Sequence, residues 1–125
     1  MKKVLVVDDS ETIRQHVAEA LTGAGFKVVE ASDGAAGLQR VSEHDFCMII
    51  LDVNMPLLNG LEMLERLKQD PKSASIPVVM LTTEAQRSMI ERARQNGAKA
   101  WLIKPIKVES LVSTVNKVLH AQGAS

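Results

Sequence analysis

The chain has 125 residues, 46% of them hydrophobic, enough apolar material for one core, so a single domain over residues 1–125 is expected. Fifteen Lys and Arg balance fifteen Asp and Glu, and the aromatic residues are Trp101, Phe26 and Phe46, which excludes the basic footprint and stacking platform of a nucleic-acid binder. No apolar run approaches the ~20 residues of a bilayer span, and Met1-Lys2-Lys3 leads into a strand-like segment without a secretory signal; a cytoplasmic protein without membrane contact follows.

In chain order, Val4-Leu5-Val6-Val7 predicts a strand that ends in Asp8-Asp9, and Ser10 can cap the helix announced by Ile13, Val17, Ala20 and Leu21. Gly23 and Gly25 close that helix, Val28-Val29 is the second strand, and Asp33-Gly34 opens a weaker helix running to residue 42. Met48-Ile49-Ile50-Leu51 is the third strand, ending in Asp52; Cys47 beside it reads as a small buried hydrophobe, since a lone cysteine has no disulfide partner in the chain. Leu61, Leu64 and Leu67 mark a third helix, Val78-Val79-Met80-Leu81 a fourth strand ending in Thr82, and residues 84–96, closed by Gly97, a fourth helix. Trp101-Leu102-Ile103 is the fifth strand, followed by Lys104-Pro105 and a last helix with Leu111, Val115, Val118 and Leu119 inward; residues 121–125 read as a frayed end. Because the apolar runs do not alternate with polar residues, all five strands are expected to be covered on both faces. Strict alternation with right-handed crossovers gives an α/β domain, an open, doubly wound parallel sheet with helices on both faces. Composition leaves the strand order open.

Ligands of such sheets bind beyond the carboxyl ends of the strands, and that is where Asp8, Asp9, Asp52, Thr82 and Lys104 fall. If strands one and three are neighbours, about 4.8 Å apart, their terminal carboxylates crowd, and each raises the proton affinity of the other unless a cation intervenes. The available ligands are oxygens, which suits Mg²⁺ or Mn²⁺ and not Zn²⁺. His16, His44 and His120 have no matching Cys or His spacing and are expected in solvent, without a role.

Together, Val6-Val7-Asp8-Asp9-Ser10, Leu51-Asp52-Val53-Asn54-Met55-Pro56, Asn59-Gly60, Leu81-Thr82 and Lys104-Pro105 resemble the receiver domains of response regulators, in order and spacing, over essentially the whole chain. The resemblance implies a flavodoxin-like (βα)5 fold with strand order 2-1-3-4-5, placing strands one and three side by side. It implies that Asp52 is the phosphoacceptor, Asp9 a direct metal ligand, Asp8 a ligand through water, and Asn54 a ligand through its backbone carbonyl. Lys104 would stabilise the phosphoryl oxygens, its bond to Pro105 would be cis, and the Thr82 hydroxyl would bind the transferred group. Trp101 stands where the family usually has Tyr or Phe, a ring that follows the threonine inward; indole is larger and offers only an N–H donor, so its part in switching is an open expectation.

The implied function is that of a two-component signalling switch, not an enzyme in the ordinary sense. A sensor histidine kinase or phosphotransfer protein would phosphorylate Asp52 in the presence of Mg²⁺, shifting a two-state equilibrium of the face formed by helix four, strand five and helix five toward a protein target. Asn54-Met55-Pro56 after Asp52 and Thr83-Glu84 after Thr82 resemble stand-alone chemotaxis members, expected as monomers. A phosphorelay intermediate, or a receiver excised from a longer regulator, is the alternative. A flavin- or nucleotide-binding domain would need a glycine-rich loop after the first strand, where Asp9-Ser10-Glu11-Thr12 stands instead. A phosphohydrolase with an aspartate nucleophile would need a substrate pocket and a second positioned acid or base. A receiver that no longer switches would not be expected to retain all five polar residues.

Overall fold

The computed structural model describes residues 2–55, 58–83 and 86–121. Pro56, the last residue of the Asp52 motif, Glu84 of the Thr83-Glu84 pair, and the last four residues of the expected frayed end therefore lie outside the described residues. Strands β1 (Lys3–Val7), β2 (Lys27–Ala31), β3 (Met48–Asp52), β4 (Val78–Thr82) and β5 (Ala100–Ile103) alternate with helices α1 (Glu11–Gly23), α2 (Gly34–Glu43), α3 (Gly60–Gln69), α4 (Arg87–Gln95) and α5 (Val108–Ala121). All pairings are parallel, in the order β2-β1-β3-β4-β5.

The helix starts are set by side chains that accept orphan N–H groups of the first turn. Ser10 accepts from Ile13 and Asp33 from Ala36, while Asn59 and Glu62 form a reciprocal capping box on α3. α4 has no such cap at Gln86 and is described from Arg87, three residues later than the sequence pattern predicts. At the other ends, Gly25 (φ 96°) and Gly97 (φ 90°) take the left-handed conformation that turns the chain out of α1 and α4.

Within the strands, successive side chains face opposite ways, which divides the apolar residues into two cores. Leu5, Val7, Ile49, Leu51, Val78 and Met80 pack with Val41 of α2, Leu64 and Leu67 of α3, and Ala93 of α4. Val4, Val6, Met48, Ile50, Val79 and Leu81 pack with Val17 and Leu21 of α1 and with Leu111, Val115 and Val118 of α5. Double coverage holds for the three central strands. It does not hold for the edges: β2 exposes Lys27 and Glu30, and β5 is only partly covered, with Ile103 45% exposed. An edge strand has a helix-packed neighbour on one side only, so an apolar run there does not imply full burial.

Candidate functional site

At the carboxyl edge of the sheet, the β1–β3 register pairs Val7 with Leu51, so Asp8 and Asp52 emerge side by side. Asp8 is fully buried, Asp52 is 1% exposed, and Asp9 is open to solvent. Ligand oxygens of Asp8, Asp9 and Asp52 all lie within 4.8 Å of one another. The loop carrying the first two is held by the Ser10 N–H donating to Asp8 Oδ1 at 2.9 Å and by Arg14 Nη1 donating to the Asp8 carbonyl at 2.7 Å. The sequence reading missed Arg14, which also pairs with Glu30 of β2 at 3.3 Å.

Asp52 is braced from α3. Gly60 N–H donates to the Val53 carbonyl at 3.0 Å, and a methyl group on Gly60 would collide with the Asp52 carbonyl oxygen. Glycine is required here for close backbone approach, whereas the sequence reading used Asn59-Gly60 only as part of a motif. Asn54, exposed, donates its backbone N–H to Asp52 Oδ1 at 3.3 Å, and its side-chain Nδ2 lies 3.5 Å from Thr82 Oγ1. Thr82 itself is fully buried at the end of β4.

Lys104 enters from the start of the β5–α5 loop and is joined to Pro105 by a cis peptide bond, as the resemblance implies. Its ammonium donates to Asp52 Oδ1 at 3.1 Å and meets Asp8 Oδ2 at 2.8 Å, the latter an ion pair without hydrogen-bond alignment. Burial and then the neighbouring Asp8 charge push the Asp52 carboxyl up to about 6 against the pull of Lys104. Burial alone would lower the Lys104 ammonium, but the two carboxylates outweigh it and raise the group above its ordinary value.

Three clustered carboxylates and a buried Asp8 oxygen lacking an aligned donor suit a hard divalent cation such as Mg²⁺. Asp8, Asp9 and Asp52 would hold it. Trp101 is half-buried against the core of the α2, α3 and α4 face, and its indole N–H is buried without a hydrogen-bond partner among the described residues.

His16 and His120 are exposed as expected, and His44 is not. His44 is half-buried, 3.2 Å from the Lys3 ammonium and stacked obliquely on Phe46, while the exposed His16 hydrogen-bonds to the Ile106 carbonyl at 2.9 Å. Neither partner, a lysine far along the chain or a backbone carbonyl, carries a sequence signal. Cys47 is half-buried, and burial pushes its thiol up, in keeping with an inert packing role. Among the described residues, no helix is long and apolar enough to cross a membrane.

Residues 4–116 match the family model of the response regulator receiver domain. The chain is 34% identical over 120 residues to a probable chemotaxis protein CheY of Rhizobium etli, covering 95% of this chain and 93% of the relative. Against chemotaxis protein CheY-3 of Vibrio cholerae it is 34% identical over 119 residues, 94% of this chain and 92% of that one. The solved structure of Vibrio cholerae chemotaxis protein CheY4 superposes with a TM-score of 0.90 at 39% identity, covering 94% of this chain and 98% of that one. Receiver domains act with a histidine kinase or phosphotransfer protein upstream and an effector downstream, as phosphorylation-driven switches. With the (βα)5 order 2-1-3-4-5 and the acidic cluster positioned for Mg²⁺-dependent aspartyl phosphorylation, the chain belongs to the response-regulator receiver family.

Proposed function

We propose that Asp52 is the phosphoacceptor of this receiver and that the domain relays a phosphorylation signal of the chemotaxis type to a protein target. The observation that carries this reading is the pair of contacts from one ammonium, Lys104, to the buried carboxylates Asp8 and Asp52 at the end of adjacent strands. The chemotaxis assignment is supported by the relatives named for chemotaxis in Rhizobium etli and Vibrio cholerae; the pathway, and action as a monomer, belong to the proposal.

In the reaction, an Asp52 carboxylate oxygen attacks the phosphorus of a donor phosphohistidine. The P–O bond forms as the P–N bond breaks, and the electron pair returns to the imidazole nitrogen. Asp8, Asp9, Asp52 and the Asn54 backbone carbonyl would hold Mg²⁺, which would supply positive charge to the phosphoryl oxygens. Lys104, already within hydrogen-bond distance of Asp52, transfers its donor to a phosphoryl oxygen. The Thr82 hydroxyl, near Asn54 before the reaction, donates to another, and the end of β4 follows it. Trp101 on the neighbouring β5 is the reporter of that movement, and its buried indole N–H is the group whose surroundings change.

The test is a titration of the Mg²⁺-loaded domain with beryllofluoride, an acyl-phosphate mimic, followed by Trp101 fluorescence beside an Asp52→Asn control. A saturable change in the native protein and none in the control is expected. Equal responses from both would overturn the phosphoacceptor assignment.

A further inference from the structure

We propose that α1 carries two positioning residues, Arg14 and His16, that set the gap between the metal-binding carboxylates and Lys104 by holding the backbone of the two loops that bear them. The inference rests on the phosphoacceptor reading and adds a device to it. Asp8 and Lys104 belong to different loops, after β1 and after β5, and the sheet does not pair those strands: β3 and β4 stand between them. The sheet register and the Lys104–Asp8 ion pair set their spacing to a first approximation, and contacts from outside the sheet refine it. α1 reaches both loops.

Two positions apart on α1, Arg14 and His16 each donate an N–H to a loop carbonyl. Arg14 Nη1 reaches the Asp8 carbonyl at 2.7 Å, and its Nε pairs with Glu30 Oε1 at 3.3 Å, so the guanidinium is held at two points with the side chain 16% exposed. A planar guanidinium fixed by two partners holds a carbonyl with less loss of freedom than a flexible ammonium would. His16 Nε2 lies 2.9 Å from the Ile106 carbonyl, and a carbonyl oxygen only accepts, so Nε2 carries the hydrogen. Ile106 is two residues beyond Lys104, and its side chain is 7% exposed within the core formed by α1 and α5. The loop is thus pinned at one residue by its side chain from within and by its carbonyl from α1. Lys104, at the head of that loop, has its own N–H bound to the Thr82 carbonyl at 2.8 Å, which fixes the backbone from which its side chain starts.

The two contacts make separable demands on the chemistry. Arg14 acts on the loop that supplies Asp8 and Asp9, so its loss should act first on Mg²⁺. His16 acts on the loop that supplies Lys104, whose partner after phosphorylation is a phosphoryl oxygen. Loss of His16 should therefore spare Mg²⁺ and weaken the phosphoryl mimic.

The experiment compares native protein with Arg14→Met, His16→Leu and His16→Gln, measuring Mg²⁺ affinity, beryllofluoride affinity at saturating Mg²⁺, and the urea unfolding midpoint. Arg14→Met is expected to weaken Mg²⁺ binding about fivefold or more, on the scale of one lost hydrogen bond. His16→Leu should leave Mg²⁺ affinity within about twofold and weaken beryllofluoride about fivefold. His16→Gln, whose amide N–H reaches about as far as Nε2, should recover most of that loss. If His16→Leu and His16→Gln bind beryllofluoride alike, or if every affinity change simply follows the unfolding midpoint, α1 is only a packing element and the proposal fails. Should His16→Leu not fold, the native and His16→Gln proteins, with the Arg14→Met contrast in Mg²⁺ affinity, decide the matter. Failure of the native protein itself to bind beryllofluoride would instead remove the phosphoacceptor reading and the positioning proposal with it.

Discussion

Replacing Asp52 with Asn should make the metal-free domain more stable at neutral pH. The folded carboxyl titrates at about 6, against 3.8 for the free group, because it is buried beside Asp8. Between those two pH values the folded state keeps a proton that the unfolded state has lost, so the free energy of unfolding falls as pH rises through that window. The penalty is absent below the unfolded value and complete above the folded one. At ~1.36 kcal/mol per pH unit it reaches about 3 kcal/mol, an upper bound because Lys104 also loses one of its two partners in the variant. A gain of about 1–3 kcal/mol at pH 7.5, shrinking steadily toward pH 4.5, is expected from urea unfolding in EDTA followed by far-ultraviolet circular dichroism. Saturating Mg²⁺ should reverse the order, since binding to the native carboxylate set stabilises only the protein that retains Asp52 in full. A variant less stable than native at pH 7.5 in EDTA, or a difference that does not change with pH, would refute the electrostatic reasoning.

Lys104→Met should leave the domain folded, raise Mg²⁺ affinity about fivefold by removing an ammonium that competes for Asp8 and Asp52, and reduce beryllofluoride affinity; calorimetric titrations of both ligands check it. Gly60→Ala should cost about 1–3 kcal/mol and weaken Mg²⁺ binding, because the added methyl displaces the Asp52 backbone; the same substitution at exposed Gly23, where nothing lies within 4 Å, is the control.

Most of the fold was legible because it depends on local chemistry. The apolar runs on β1, β3 and β4 are buried on both faces as read, and Ser10 and Asp33 cap the helices they precede. Coverage of the edges was not legible: Val28-Val29 and Trp101-Leu102-Ile103 look like the central runs, and only the position of a strand in the sheet decides how much of it water reaches. Strand order was legible only through the family resemblance. The acidic cluster could be read because its members end a strand or lie within two residues of its end, a position with a sequence coordinate. Arg14 and His16 could not, because their partners are the backbone carbonyls of Asp8 and Ile106, which no side-chain pattern marks. Gly60 could be read as a motif, yet its reason, contact with the Asp52 backbone, exists only in three dimensions.

The balance of charge at the site explains why a switch follows from so small a modification. Three carboxylates and one ammonium leave a formal deficit of two positive charges in a partly buried space, which one divalent cation removes. On the proposed reaction, Asp52 then exchanges a single negative charge for about two on the phosphoryl group, and the surplus must be met by donors not yet committed to it. Lys104 is already at Asp52 and gains only a new oxygen to hold. The next donor within the strand ends is the Thr82 hydroxyl, fully buried and 3.5 Å from the Asn54 amide. On the proposed reaction, turning that hydroxyl toward the phosphoryl group would move the end of β4, which is hydrogen-bonded through the Thr82 carbonyl to Lys104 and lies in register with Ile103 of β5. On that reading Ile103, 45% exposed, would carry the change to the surface. On the positioning proposal, Arg14 and His16 act in the opposite sense: by holding the carbonyls of Asp8 and Ile106 they would limit how far the metal loop and the far end of the lysine loop follow the movement of β4.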